Sequence, residues 1–396
     1  MYSRKIKLGV FVLEGVNSIA CTYFFNYLFF HLQHHFGFDV FQNLRLSAIH
    51  GFVYMVAAWQ AGKFAQRRGG FVSMRLGFAL ATAATLAAAH VASGGWFIVV
   101  LIVWTLAICF TWPAMQAFVS EGVSAARLPH LIGIYNVVWA GSSAVAYFIG
   151  GAILEKLGPA SIFYFPASLY AAQWAFTFWL ERGAEKLPVP KDCATPSPAR
   201  LASDEERLRS PVSPSLFLKM AWLANPFAYI AVNSAIPLIP ELAKRLDLSP
   251  MFAGFFCSVW FFARTLAFVG LWLWTGWHYR FRWLAYAFAT MAVCFALILL
   301  VPNLWVLVLA QIGFGLALGL IYYSSLFYAM DVGESKSEHG GLHEAAIGSG
   351  IFAGPALGAT TVYLLPNYPG SSAWAVSGLL VLGFAALMWL RFRRSE

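Results

Sequence analysis

Twelve times along this chain, a run of about 20 or more mostly apolar residues is followed by a polar break. The runs cover 8–32, 43–62, 71–92, 96–118, 131–154, 162–181, 216–242, 251–276, 282–301, 304–328, 342–365 and 373–392. At 1.5 Å per residue, a helix of about 20 residues crosses the roughly 30 Å hydrocarbon core of a bilayer. A helix also satisfies its own backbone hydrogen bonds, which lipid cannot do for it. A transmembrane barrel would need segments of about ten residues in strict alternation, and these runs do not alternate. The expected fold class is therefore an all-α integral membrane protein of twelve transmembrane helices. Composition agrees: 60% of residues are hydrophobic and only 11% charged, where a soluble domain carries about a quarter. Glu14 and Asn17 interrupt the first run and eleven more follow, so it reads as a retained span rather than a cleaved leader.

The cations set the expected orientation. With the N-terminus in the cytoplasm, the 26 Lys and Arg residues fall in cytoplasmic segments, with five exceptions. Arg45, Lys156, Lys244 and Arg245 fall in outer loops, and Arg264 falls inside a span. This is the positive-inside pattern, and it accounts for the net charge of +9. The cations are scattered over separate loops rather than gathered on one solvated face, which argues against a nucleic-acid partner. Four of the five cysteines lie in spans and Cys193 in a central polar segment, so no disulfide framework is expected. Both termini are expected in the cytoplasm. Short loops and inner cations fit a bacterial inner membrane.

The segment 182–214 is rich in Pro, Ser and charge and reads as a linker. It divides the chain into a bundle of six spans at 1–181 and another at 215–396. The halves repeat. "GIYNVVWAGSSAVAYFIGG" from Gly133 aligns with "GLHEAAIGSGIFAGPALGA" from Gly341 at a constant offset of 208 residues. Tyr135-Asn136 then meets His343-Glu344, and Gly150 meets Gly358. Glycines also let membrane helices pack closely, but the matched place in each half favours duplication. Paired six-helix halves are a transporter architecture, with a substrate site near the midplane between them.

The loop between the second and third spans, "GKFAQRRGG", resembles the signature loop of the major facilitator superfamily. Gly62, Arg67 and Gly69 stand at its matching positions, Gln66 replaces the usual Asp, and Gly70 replaces a cation. The second-half copy, "GWHYRFR", keeps Gly276, Arg280 and Arg282. The fifth span resembles the family's glycine-rich motif. Its Gly-Pro is replaced by Ala146-Tyr147, whereas the eleventh span keeps Gly354-Pro355. That replacement weakens any inference of antiport. The resemblance implies two pseudo-symmetric six-helix bundles and a cytoplasmic gate at Gly62, Gln66 and Arg67. It places Asn136, His343 and Glu344 at helix ends suited to gate contacts.

A charged group at the centre of a span is expensive and normally faces a wet cavity or a partner. Glu14 lies about eight residues inside the first span, with Asn17, Ser18 and Cys21 near its face. It is either a proton carrier or a structural acid. Arg264 precedes Gly276 by twelve residues, as His50 precedes Gly62. The two basic groups thus hold matched mid-membrane places and suit an anionic or polar solute, or else they make helix–helix contacts. The resemblance implies that spans one, four, seven and ten line the cavity. It adds Gln116, Asn233 and Tyr323 to the candidate binding set, with Asn26, Trp112, Asn225, Gln311, Tyr322 and Ser324 beside them. Pro237 and Pro240 let the seventh span bend. His31, His34 and His35 lack a completing acid or Cys, and no metal site is expected. With no phosphate-cradling loop, no ATP or other cofactor is expected.

The expected function is secondary active transport of a small polar or anionic solute by alternating access, with protons as the candidate coupling ion. The expected partners are that solute and the bilayer, and the expected state is a monomer. The competing readings are a multidrug or lipid exporter, a membrane enzyme using Glu14, His50 or His343-Glu344 on lipids, and a transport-dead sensor. The enzyme would need a nucleophile or metal converging on those residues, and the sequence shows none.

Overall fold

A computed structural model describes residues 3–121, 123, 128–184, 207, 210, 212–332 and 336–393, with only the backbone given for 128–129, 330 and 336–345. The expected linker at 182–214 lies mostly outside the described residues, and its role as the domain boundary stays an inference from sequence.

The helices are α1 (Arg4–Phe36), α2 (Val40–Arg68), α3 (Gly70–Ala88), α4 (Trp96–Ser120), α5 (Leu128–Leu157) and α6 (Ser161–Arg182) in the first half. The second half has α7 (Pro214–Ala235), a 3-10 turn (Ile236–Leu238), α8 (Ile239–Arg245), α9 (Pro250–Cys257), α10 (Val259–Leu273), α11 (Phe281–Leu300), α12 (Leu304–Val332), α13 (Lys336–Leu364) and α14 (Ser371–Phe392). Local chemistry sets the boundaries. Asp39 and Gln42 form a capping box at the start of α2. Ser213-Pro214 and Ser249-Pro250 each place a capping hydroxyl before a first-turn proline. Gly69, at φ 93°, breaks α2 from α3 in a conformation that only glycine adopts freely.

Two expected spans are each broken, the first near its end and the second in its first third. The run 216–242 becomes α7, the 3-10 turn and α8, because Pro237 and Pro240 cannot donate to the helix ladder. The run 251–276 becomes α9 and α10, interrupted at Ser258, whose hydroxyl bonds back to Phe255 O at 3.1 Å. The proline break was legible, whereas the serine break was not. Among the described residues, ten of the resulting spans are long and apolar enough to cross a membrane on length and composition. α2 and α6 reach that length but carry His50, Gln60 and several Trp and Tyr, which depress hydropathy.

Packing repeats between halves. α1 lies against α5 and α6, as α7 lies against α13 and α14. α4 lies against α2 and α3, as α12 lies against α9–α10 and α11. The two bundles meet through an exchanged pair: α2 against α13, and α5 against α9 and α10. This is the arrangement of two pseudo-symmetric six-helix bundles. The seams depend on glycine. A Cβ on Gly51 would lie 2.4 Å from the Ile351 carbonyl carbon, and one on Gly151 2.0 Å from Pro250 O.

On the face opposite the chain termini the bundles are closed. The 3-10 turn and α8 press on α1, and the turn also touches α2. Ser47 donates to Asn233 O at 3.4 Å, and Glu155 accepts the Met251 N–H at 2.7 Å.

Candidate functional site

Between the bundles lies a cavity of about 180 Å³. It runs from Asn26 and Ile236, near the closed face, to Gln116, one turn from the termini-side end of α4.

On the first wall, α1 presents Glu14, Ser18, Cys21 and Phe25 at helical spacing. Glu14 is fully buried. Ser18 donates to its Oε1 at 3.1 Å and Tyr135 of α5 donates to its Oε2 at 2.6 Å. His50 of α2 holds Thr105 Oγ1 at 2.8 Å from Nδ1. Thr105 donates its single hydroxyl proton to Leu101 O at 2.6 Å. The proton in the His50–Thr105 bond therefore belongs to Nδ1, and Nε2 is left as an acceptor.

On the second wall stands Arg264 of α10, 8% exposed. Its guanidinium lies 4.5 Å from the Trp139 ring centroid and 5.1 Å from those of Trp260 and Phe261. Among the described residues no carboxylate lies within ion-pair distance of it, and its Nε has no hydrogen-bond partner. The helix–helix ion pair weighed from sequence is thus absent from the described residues. Trp139 belongs to the opposite bundle, so the cage spans the seam. Asn233 of α7 lines the same wall, with its Nδ2 donating to Tyr229 O at 3.0 Å.

The structure thus brings Glu14, His50, Gln116, Asn233 and Arg264 together around one cavity. It does not bring in two other candidates. Asn17 turns to α4, where its Nδ2 donates to Thr111 Oγ1 at 3.5 Å. Tyr323 packs its ring against Phe268 and Trp277, and its neighbour Tyr322 lines the cavity instead. Gln311 ties α12 to Phe256 O at 2.7 Å, and it too lies outside the lining.

Of the gate candidates, Gly62 lies in α2 with open space around its Cβ position, and Gln66 and Arg67 are exposed in the last turn of that helix. Arg67 suits that end, where the helix dipole favours a cation. Asn136 is buried among its neighbours, with Nδ2 unpartnered. The side chains of His343 and Glu344 lie outside the described residues. Sequence reasoning missed Tyr135, Trp139 and Trp260 as site residues. Trp260, one turn from Arg264, carried the clearest signal. Among the described residues no three His, Cys, Asp or Glu side chains gather as a metal would need.

A family model described as Major Facilitator Superfamily matches residues 6–146 and 106–337. No curated protein matches the chain by sequence. Solved structures match its fold. The nucleoside transporter NupG aligns over 98% of this chain and 100% of its own, at TM-score 0.71 and 16% identity. A bacterial homologue of the human lysosomal transporter Spinster, inward-facing and unoccupied, aligns over 97% and 94%, at 0.68 and 12%. The human organic anion transporter MFSD10 aligns over 97% and 99%, at 0.64 and 16%. At such identities the likeness is one of fold.

Proposed function

Since the chain belongs to the major facilitator superfamily, we propose that it is a secondary carrier of a small organic anion, working by alternating access and coupled to protons through Glu14. The observation that carries this reading is Arg264. A buried guanidinium without a counter-charge costs several kcal/mol. Such a charge persists where a ligand supplies the partner, and Arg offers a fixed fork that matches a carboxylate. The MFSD10 neighbour is named for organic anions, which suits that fork. Glu14 supplies a carboxyl in the same cavity that can be protonated and emptied as the bundles rock. With termini in the cytoplasm, the contacts on the opposite face hold the outer side shut.

Flux in proteoliposomes tests the reading. Uptake of radiolabelled organic acids should be driven by an imposed pH gradient and collapse with a protonophore. Arg264→Gln should abolish it while leaving the protein monodisperse. Flux unaffected by both the protonophore and the Arg264 substitution would refute it.

A further inference from the structure

Charge alone leaves the substrate class wide, but the cavity narrows it. Three features of its wall act together. The first is size. A cavity of about 150 Å³ accepts one benzene ring, and this one measures about 180 Å³. One ring with a small substituent fits the space present in this conformation.

The second is the shape and chemistry of the wall. The only cation lining it, among the described residues, is Arg264, and that cation is framed by the flat faces of Trp139, Trp260 and Phe261. A planar ring carrying a carboxylate can meet the guanidinium with its charge and the indoles with its face.

The third is the count of charges on the wall, since its other polar groups are neutral apart from Glu14. Asn26 donates its Nδ2 to Thr22 O at 2.8 Å and keeps Oδ1 unpartnered, Asn233 donates to Tyr229 O at 3.0 Å, and His50 Nδ1 is engaged by Thr105 with Nε2 left as an acceptor. A neutral sugar or nucleoside would leave the Arg264 charge unmatched. A second carboxylate would meet no second cation and would face Glu14.

From these we infer that the substrate is a single-ring aromatic monocarboxylate of benzoate size, with its carboxylate on Arg264 and its ring against Trp139 and Trp260. This deepens the carrier reading and rests on it.

The test is binding to the purified full chain in nanodiscs, followed by calorimetry. The panel is benzoate, cyclohexanecarboxylate, benzyl alcohol, succinate and uridine. Benzoate should bind about tenfold more tightly than cyclohexanecarboxylate, which has the charge without the flat ring. Benzyl alcohol, succinate and uridine should not saturate the site at matched concentration. Arg264→Gln should weaken benzoate by roughly 10- to 100-fold, the loss expected for hydrogen bonds to a charged group. Arg264→Lys, which keeps the charge but loses the fork, should fall between. Trp139→Leu should bring the benzoate and cyclohexanecarboxylate affinities together while the latter changes little. Tighter binding of uridine or succinate, equal affinities for the two ring acids in the unaltered protein, or no binding of benzoate would each overturn the inference. Coupled flux of another anion through the same proteoliposomes would show the carrier reading standing while this substrate class falls.

Discussion

Tyr135 of α5 donates its hydroxyl to Glu14 Oε2 of α1 at 2.6 Å. The acid on the first wall is thereby held by a helix that also packs on α9 and α10 of the other bundle. A change of charge at Glu14 is felt at the seam. Glu14→Gln keeps an acceptor for Tyr135 and removes the exchangeable proton. Proteoliposomes carrying it should still exchange labelled for unlabelled substrate, yet no longer accumulate it against a gradient when a pH difference is imposed. Undiminished accumulation would take Glu14 out of the coupling step.

On the closed face, Glu155 accepts the Met251 N–H at 2.7 Å, in the first turn of α9. A carboxylate at a helix N-terminus is favoured by both the bond and the dipole. Hydrogen bonds to charged groups contribute about 1.5–3 kcal/mol, so Glu155→Ala should move the population roughly tenfold or more toward the state open on that face. The native Cys21, which lines the cavity, reports this. In a Cys193→Ser background, a maleimide confined to that face should label Cys21 faster in the Ala variant. An unchanged labelling rate would show that the bond does not hold the gate.

The apolar runs made the bundle legible, because lipid leaves a spanning backbone no other way to satisfy its polar groups. The facing of single polar residues was not legible. Asn17 and Asn26 are nine positions apart in α1, two and a half turns, and so point to opposite sides. Only packing decides which side is wet, and Asn26 lines the cavity while Asn17 bonds α4. Tyr322 and Tyr323 pose the same problem at a 100° step. The carboxyl and the guanidinium were found because their burial demands a reason. The aromatic cage escaped because Trp and Phe are unremarkable in a span until their faces converge on a charge.

Gly51 sets how closely α2 approaches α13. Any Cβ there would press on the Ile351 carbonyl carbon at 2.4 Å and the Phe352 nitrogen at 2.4 Å, both backbone atoms that cannot rotate away. Gly51→Val should therefore wedge the seam, with an overpacking penalty of about 1–3 kcal/mol. A lower Tm in detergent is expected, along with loss of flux. Gly62→Ala in the same helix meets nothing within 4 Å and should hold or slightly raise Tm, since Ala is the better helix former. Equal Tm values for the two variants would mean that the seam gives way more easily than its backbone contacts imply.

His278 offers a pH test outside the spans, in the loop joining α10 to α11. Its ring stacks on Phe327 at a centroid distance of 3.9 Å, and its Nδ1 has no partner. Burial pushes it down from 6.5 to about 3. The unfolded chain therefore takes up this proton first as the medium is acidified, and binds more protons than the native state between those values. Stability contributed by the neutral ring is present above about pH 6.5 and is lost progressively toward pH 3. His278→Phe preserves the stacking and removes the titration. Its Tm should match that of the unaltered protein at pH 7.5 and fall less between pH 6.5 and 4.5. Parallel Tm curves over that window would show that His278 is not what makes the loop acid-sensitive.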